Sequence, residues 1–289
     1  MNYRHQYHAG NFADVMKHAL LVQLVRALQR KEKGVLFLDT HAGRGSYDLQ
    51  VAARGDSRER QPEWPDGIGR LWGAEELPAA LAEYVGLVRQ FDRDRGNAEA
   101  TLRFYPGSPW LVRLLARPQD RLGICEKHPE EATALAEEFR FSPRTTVQAI
   151  DGYVGVRAML PPAERRALVL IDPPFESVDE FANVATALRE GLARLAGGVF
   201  AVWYPLTERA RLAAFFGELR AMALPPTAVF ELTIAGEQAD IKLRGCGLLV
   251  VNPPWHYEKV AEPMLATLAD RLAQAPGGGS TVEWLVPER

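Results

Sequence analysis

The residues best suited to chemistry lie at the end of the apolar run 167–171, which continues into Asp172-Pro173-Pro174-Phe175. Both prolines lack an amide proton and have a fixed φ, so the chain should leave a buried strand in an extended conformation. The Asp172 carboxylate and the Pro173 carbonyl can then accept the two protons of one exocyclic amine, and the Phe175 ring can stack on a planar base. The pattern predicts Asp172 as the catalytic residue and Pro173 and Phe175 as contacts to an extruded adenine.

A turn in which the aspartate only caps the chain would have the same local sequence, so the surrounding elements must decide. A second segment of this form, Asn252-Pro253-Pro254-Trp255, follows the apolar run 248–251. Only one further strand, 281–286, can be drawn after it. A cofactor pocket needs several earlier strands, and the sequence supplies those upstream of Asp172. We therefore interpret the second segment as a late strand and its turn.

Composition is typical of a soluble enzyme. The chain has 289 residues, of which 47% are hydrophobic and 25% charged, enough for one large α/β domain with an insertion or for two small domains. It lacks an apolar run of about eighteen residues and an apolar N-terminal signal, so we expect a cytoplasmic protein without a membrane segment. A net charge of −3 argues against coating nucleic acid through bulk charge. Cys125 and Cys246 are expected to be buried, reduced thiols.

Alternating elements predict the architecture. A helix is expected over 11–31, followed by a strand at 35–39 and a glycine loop at 40–45. Further strand-like runs lie at 122–126, 145–150, 167–171, 199–203, 228–234, 247–251 and 281–286. This order predicts an α/β fold with a doubly wound, mainly parallel sheet. Strand signals vanish after residue 47, which predicts a main domain of residues 1–47 and 104–289 and an inserted helical subdomain of residues 48–103.

Polar residues at the carboxyl ends of the predicted strands outline a ligand site, because ligands of open parallel sheets bind at that edge. Gly43 and Gly45 would let the backbone pass close under a ligand. Glu126 can accept both hydroxyls of a ribose, and Asp151, followed by Gly152, can accept an adenine amine. These residues predict a nucleoside-shaped site.

The glycine loop favours S-adenosylmethionine over a dinucleotide. A dinucleotide site has three glycines before a helix and an acid about twenty residues beyond them. Here Tyr47 or Asp48 stands near the third glycine position, and the next strand-ending acid is Glu126. A cofactor with a ribose and an adenine but no phosphate fits this loop better.

The N-terminal segment could form an aromatic and basic flap over a nucleic-acid substrate, built from Tyr3, Arg4, His5, Tyr7 and His8. A frayed terminus is the alternative. No metal site is predicted, because the histidines are irregularly spaced and no cysteine or acidic cluster lies nearby. Farther along the chain, Ser108 is expected to be the N-cap of a helix, and its hydroxyl could also serve a ligand.

Several segments together resemble the bacterial 23S ribosomal RNA adenine-N6 methyltransferase J family over nearly the whole chain. They are Tyr3-Arg4-His5, His8-Ala9-Gly10-Asn11, Ala13-Asp14-Val15, Lys17-His18, Leu38-Asp39-Thr40-His41-Ala42-Gly43, Tyr105-Pro106-Gly107-Ser108-Pro109, Ile171-Asp172-Pro173-Pro174, Trp203-Tyr204-Pro205 and Asn252-Pro253-Pro254-Trp255. Phe175 stands where a tyrosine is commoner, which preserves stacking and removes a hydroxyl.

The resemblance implies a Rossmann-like class I methyltransferase that uses S-adenosylmethionine to methylate N6 of one adenine in 23S ribosomal RNA. It implies a substrate contact at Tyr3 and cofactor contacts at His18, His41, Ser108, Glu126, Asp151, Gly152 and Asp172. We expect a monomer that acts on protein-free RNA or an early assembly intermediate. Two rival functions remain open: a DNA adenine or protein glutamine methyltransferase with the same clamp, and an NAD-binding module.

Overall fold

The computed structural model describes residues 7–53, 61–206 and 209–288. Its strands, in chain order, are β1 (Leu36–Asp39), β2 (Ser46–Asp48), β3 (Phe104–Pro106), β4 (Arg121–Cys125), β5 (Thr145–Gln148), β6 (Ala167–Ile171), β7 (Val199–Pro205), β8 (Thr227–Thr233), β9 (Gly245–Val251) and β10 (Gly279–Val286). Its α-helices are α1 (Phe12–Gln29), α2 (Leu49–Ala53), α3 (Gly69–Trp72), α4 (Ala79–Asp94), α5 (Ser108–Leu115), α6 (Pro129–Glu138), α7 (Gly152–Met159), α8 (Glu180–Arg194), α9 (Arg209–Ala221) and α10 (Tyr257–Arg271).

The central sheet has the strand order β10-β8-β9-β7-β6-β1-β4-β5. β1 pairs in parallel with both β4 and β6, so the chain changes direction across the sheet at this strand. β9 runs antiparallel to its neighbours β7 and β8, and β10 runs antiparallel to β8. The predicted doubly wound, mainly parallel sheet is thus confirmed. In open α/β sheets the ligand crevice lies beyond the carboxyl ends of the strands at such a switch, and "the crevice" below means this position at β1.

Helices cover both faces of the sheet. Apolar residues of α1, α4, α5, α6 and α10 form one core cluster, and those of α7, α8 and α9 form the second. β6 lies between them with all five residues buried. Because side chains alternate along a strand, residues that follow β6 are delivered to a defined side of the crevice.

Helix α1 begins where the sequence predicted. Asn11 is its N-cap, and its side chain accepts a hydrogen bond from the Asp14 backbone N–H. Thirteen residues of the helix are buried, among them the charged Asp14 and Lys17. Burial of charge on an otherwise apolar helix requires partners at close range.

The described residues between β2 and β3 include the helices α2, α3 and α4, and the two strands pair antiparallel in a sheet that the sequence did not predict. Leu81, Tyr84 and Val88 of α4 belong to the same core cluster as Val15 and Met16 of α1. The inserted segment therefore packs directly on α1, while its treatment as a separate subdomain stays a prediction. Within the described residues, no helix is both long and apolar enough to span a bilayer.

Candidate active site

Asp172 and Lys17 form an ion pair at the carboxyl end of β6. The Lys17 Nζ lies 2.5 Å from Asp172 Oδ2 and 2.8 Å from Asp14 Oδ1. The Lys17 side chain is 6% exposed and that of Asp172 is 15% exposed. Burial opposes the lysine charge, but the two carboxylates together raise the pKa of Lys17 well above its ordinary value. Lys17 is therefore a fixed cation that orients Asp172 through its contact with Oδ2.

Asp14 is itself held by the start of α1. Its Oδ2 accepts the Gly10 N–H at 3.0 Å, and its own N–H donates to Asn11 Oδ1 at 3.0 Å. The sequence analysis did not single out Lys17 as a site residue. The available signal was the pair Asp14 and Lys17, three residues apart on an apolar helix.

The residues after Asp172 form the rest of the predicted clamp. Within the described part of the chain, no group donates to the Pro173 carbonyl oxygen. Phe175 has a φ of 50°, and its ring centroid lies 4.9 Å from that of Phe181 and 5.9 Å from that of Trp203. These contacts hold the phenyl ring against Phe181 and Trp203. The three residues predicted to hold a base therefore follow directly after β6, and their action as a clamp stays a prediction.

Ser108 and Asp39 meet at the end of β1. The Ser108 hydroxyl donates to Asp39 Oδ2 at 2.6 Å, and the His41 backbone N–H donates to Asp39 Oδ1 at 3.3 Å. Burial raises the pKa of Asp39 to about 6, and the nearby Asp172 adds to the rise against the hydrogen bond from Ser108. The prediction that Ser108 is an N-cap was wrong, because Gly107 takes that position and Ser108 is the first helical residue. The hydroxyl is thereby released to bind Asp39.

Glu126 lies next to the glycine loop. Its Oε2 accepts the Gly43 N–H at 2.8 Å, and its Oε1 accepts the His128 N–H at 2.7 Å. Gly43 has a φ of 59°, and a Cβ there would lie 2.6 Å from the Tyr47 hydroxyl oxygen. A side chain at this position would therefore be strained and crowded. The structure places Gly43 and Glu126 side by side, as a shared ligand site requires.

Asp151 and Gly152 begin α7 beside β1. Asp151 Oδ1 accepts the Tyr153 N–H at 3.0 Å, and the Lys127 Nζ lies 2.9 Å from its Oδ2. Burial disfavours the Asp151 charge, but these hydrogen bonds keep the pKa of Asp151 below its ordinary value. A Cβ at Gly152 would lie 2.0 Å from the Thr40 carbonyl oxygen, so only glycine allows this approach. Asp151 is both a helix cap and an ionised acceptor at the edge of the site.

His41 lies between these groups. Its Nδ1 is 2.7 Å from the Thr40 hydroxyl oxygen, and its ring meets the Tyr153 ring edge-on at 5.2 Å. Burial lowers the pKa of His41 to about 4, although the nearby Asp172 and Asp151 act in the opposite direction. The imidazole is therefore neutral near pH 7.

His18 is placed differently from the other predicted cofactor contacts. It is 2% exposed, and its Nδ1 lies 2.8 Å from the Tyr105 hydroxyl, which in turn lies 2.8 Å from the Tyr84 hydroxyl. The ring thus sits beneath the crevice in a buried polar chain, and its cofactor role stays a prediction.

The predicted substrate contact Tyr3 lies outside the described residues, as do Arg4 and His5. The adjoining segment is tied to the insertion: His8 Nδ1 is 2.9 Å from Glu63 Oε1, and Asn11 Nδ2 donates to Glu63 Oε2 at 2.8 Å. Across the described ranges, no cluster of three or more histidine, cysteine or acidic residues could hold a metal ion. The second proline motif lies at the opposite edge of the sheet, since β9 is antiparallel and the Asn252 N–H donates to Pro226 O just before β8.

Comparison with known proteins gives a consistent result. A family model described as "Ribosomal RNA large subunit methyltransferase D, RlmJ" matches residues 32–286. The chain is 38% identical over 288 residues to the ribosomal RNA large subunit methyltransferase J of Escherichia coli K12, with full coverage of both chains. The Haemophilus influenzae protein of the same name is equally similar. The crystal structure of LPL1258 from Legionella pneumophila has a TM-score of 0.84 and 34% identity, covering 96% of this chain and 97% of that one.

Proposed function

Since the chain belongs to the ribosomal RNA large subunit methyltransferase J family, we propose that it transfers a methyl group from S-adenosylmethionine to the exocyclic N6 of an adenine in 23S ribosomal RNA. The observation that supports the proposal is the end of β6, where Lys17 holds Asp172 Oδ2 and no described residue donates to the carbonyl of the next residue, Pro173. The Asp172 carboxylate, the Pro173 carbonyl and the Phe175 ring match the two amine protons and the flat face of an adenine.

The clamp would act by orientation. The N6 lone pair of adenine is delocalised into the ring, and hydrogen bonds from both amine protons to Asp172 and Pro173 favour a more tetrahedral nitrogen whose lone pair faces the donor. S-adenosylmethionine, when bound, would supply the methyl carbon to N6 and would keep the electron pair of the broken carbon–sulfur bond on its sulfur. Asp172 then receives the proton that leaves N6.

Lys17 would keep this clamp in position. It contacts Asp172 Oδ2, and no donor among the described residues contacts Oδ1, which leaves that oxygen for the substrate amine. The second partner of Lys17, Asp14, balances its charge and anchors it to the start of α1. Lys17 is thus a positioning residue for Asp172.

The residues around the crevice fit S-adenosylmethionine, which supplies a cationic methyl donor when it is bound. Glu126 and Asp151 are suited to its ribose and adenine, with Asp39 and Ser108 nearby. Gly43 and Gly152 lack a Cβ at positions where one would clash with the Tyr47 hydroxyl and the Thr40 carbonyl, respectively. An acidic lining favours a sulfonium and disfavours the pyrophosphate of NAD.

We propose the same target as the names of the relatives indicate, ribosomal RNA, either protein-free or in an early assembly intermediate. DNA adenine and protein glutamine remain the alternative amine substrates for such a clamp. The cytoplasm, where ribosomal RNA is processed, and a monomeric state complete the proposal.

Asp172→Asn tests the function, because it keeps the size of the side chain and removes the ionised acceptor. Labelled methyl transfer from S-adenosylmethionine to protein-free 23S ribosomal RNA should fall at least about a hundredfold in single turnover, with normal circular dichroism. Asp179→Asn, an exposed aspartate that ends the same loop, is the matched control and should retain the rate.

Nucleoside analysis of the product should give N6-methyladenosine. Label incorporated only into duplex DNA or protein, or an undiminished rate in Asp172→Asn, would overturn the proposal. A thermal shift with NAD but not with S-adenosylmethionine would favour the nucleotide-binding module instead.

A further inference from the structure

The hydrogen bonds of Thr40 bear on which ring nitrogen of its neighbour His41 carries the proton. Thr40 is fully buried, and its hydroxyl oxygen lies 2.9 Å from the Leu170 carbonyl and 2.7 Å from His41 Nδ1. A carbonyl oxygen can only accept, so the single hydroxyl proton of Thr40 is donated to Leu170. The remaining contact requires a proton on the imidazole side. His41 Nδ1 must therefore be the donor.

We propose that Thr40 fixes His41 as the Nδ1–H tautomer, so that its Nε2 presents a lone pair to the cofactor site and accepts an N–H or O–H of the bound ligand. Thr40 is then a positioning residue that acts through His41. The identity of the ligand rests on the proposed function, whereas the tautomer follows from hydrogen-bond accounting in the free protein.

The Nε2 atom is available for this role. It has no hydrogen-bond partner among the described residues, and it is not among the buried polar atoms that lack one, so it is accessible from the crevice. The Tyr153 ring packs edge-on against the imidazole, but its hydroxyl is directed away and donates to Glu180 Oε1 at 2.6 Å. The tyrosine therefore does not use the acceptor.

Burial and the charges around the imidazole determine whether His41 Nε2 stays unprotonated at neutral pH. Asp172 and Asp151 favour a second proton on His41, whereas Lys127 opposes it. Burial outweighs the two acids, and the pKa of His41 is about 4. Asp39 accepts the His41 backbone N–H at 3.3 Å and does not bond to the ring. The ring therefore stays neutral near pH 7.

Thr40 also ties this acceptor to the catalytic strand. Its backbone N–H and its hydroxyl both donate to the carbonyl of Leu170, two residues before Asp172. Thr40 therefore holds the imidazole in a fixed orientation relative to β6, the strand that Asp172 follows. A ligand with a donor against Nε2 is selected over one with a carboxylate or phosphate there, because an anion would face a lone pair.

The test is nitrogen NMR of the histidine rings in the free protein, with His41 assigned by its loss in His41→Gln. Wild type should show a protonated Nδ1 and a bare Nε2 at pH 7. Thr40→Val keeps the shape and removes the hydroxyl, so His41 should lose this tautomer preference. Thr40→Ser keeps a hydroxyl and should retain the preference, which controls for the loss of packing.

Addition of S-adenosylmethionine should shift the Nε2 resonance towards the hydrogen-bonded value. Thr40→Val should weaken cofactor binding by about two- to tenfold, as expected for one hydrogen bond, and Thr40→Ser by less than about twofold. A protonated Nε2 in the free or bound wild type, or an unchanged tautomer in folded Thr40→Val, would overturn the inference. If the cofactor failed to bind wild type at all, the proposed function would fail while the tautomer measurement still stood.

Discussion

At the scale of single residues, the site depends on charges that are buried together. Lys17 is surrounded by Asp14 and Asp172, and each carboxylate is within 2.8 Å of its Nζ. A buried ion pair of this kind contributes little net stability, because desolvation offsets much of the attraction. Its value lies in geometry, since rotation of Asp172 away from Lys17 would break a short ion pair and leave Asp14 to balance the buried cation.

Asp39 gives the site a pH dependence. Its pKa is raised to about 6 by burial, so it gains its charge only as the pH rises through that value. Affinity for a cationic cofactor should therefore increase between pH 5 and pH 7, measured by calorimetric titration. His41 titrates below this window, and Lys17 stays charged throughout it. Asp39→Asn should flatten the profile, whereas an equally steep profile in this variant would contradict the assignment.

The same shift affects folding in the opposite sense. The folded state holds the Asp39 proton more tightly than the unfolded chain, whose carboxyl ionises near its ordinary value of 3.8. The contribution of Asp39 to stability is therefore most favourable below that value and declines as the pH rises through about 6. A group that costs stability in its working form is typical of functional sites.

Sequence reasoning brought together the candidate site residues that follow strands and missed contacts that depend on packing. Asp172, Glu126 and Asp151 were predicted to share one sheet edge because parallel strands end together. The partner of Asp172, Lys17, lies 155 residues away on a helix, and only the packing of α1 on the sheet brings them together. The contact of Ser108 with Asp39 was missed because the sequence favoured a cap at Ser108.

At the scale of elements, α7 connects the residues that follow β1 to the start of α8 at the candidate site. Its N-cap Asp151 faces Lys127, and Tyr153 in its first turn reaches Glu180 at the start of α8. Gly152 lets this helix start lie against the Thr40 carbonyl. Movement of α7 would therefore disturb β1, α8 and the loop between β6 and α8 together.

Gly152→Ala tests this close approach. The added methyl would lie 2.0 Å from the Thr40 carbonyl oxygen, so urea unfolding should show a loss of about 1–3 kcal/mol and cofactor affinity should fall with it. Gly86→Ala is the matched control, because a Cβ at this site in α4 meets nothing within 4 Å. The control should gain about 0.5–1 kcal/mol from helix propensity. Equal stabilities for the two variants would show that α7 can shift freely.

The strands of the central sheet were largely predictable, with bounds that differ by at most two residues, because their apolar runs are short and well separated. The β2–β3 pair was missed, since each strand has only three residues and no apolar alternation. The hydrophobic pattern also does not predict whether a buried strand is parallel or antiparallel to its neighbours. A buried run such as 245–251 reads the same whether it is parallel or antiparallel.

At the scale of the whole molecule, the direction of β9 separates two similar motifs. Asp172 leaves β6 at the ligand edge, whereas Asn252 leaves β9 at the opposite edge. There the Asn252 side chain donates to the Ala196 carbonyl at 2.9 Å and to the Gly198 carbonyl at 2.8 Å. The asparagine amide thus ties the end of β9 to the residues that precede β7, at the edge of the sheet opposite Asp172.

Asn252→Ala should therefore affect stability and spare the site. Two carbonyls lose their donor, which should lower the free energy of unfolding by about 1–3 kcal/mol in urea. The affinity for S-adenosylmethionine, measured on the folded variant, should stay within about twofold of wild type. A large loss of affinity without a loss of stability would instead connect the second motif to the ligand.

Helix α1 is enclosed by parts of the chain that are made long after it. Lys17 lies on this helix, and the Tyr257 hydroxyl at the start of α10 donates to the Leu20 carbonyl of the same helix at 2.8 Å. During translation, α1 leaves the ribosome before α10, which lies more than two hundred residues later in the chain. A nascent chain therefore cannot complete the packing around α1 before α10 has left the ribosome. The order of synthesis thus places the completion of the surroundings of α1 after β1 to β9 have been made.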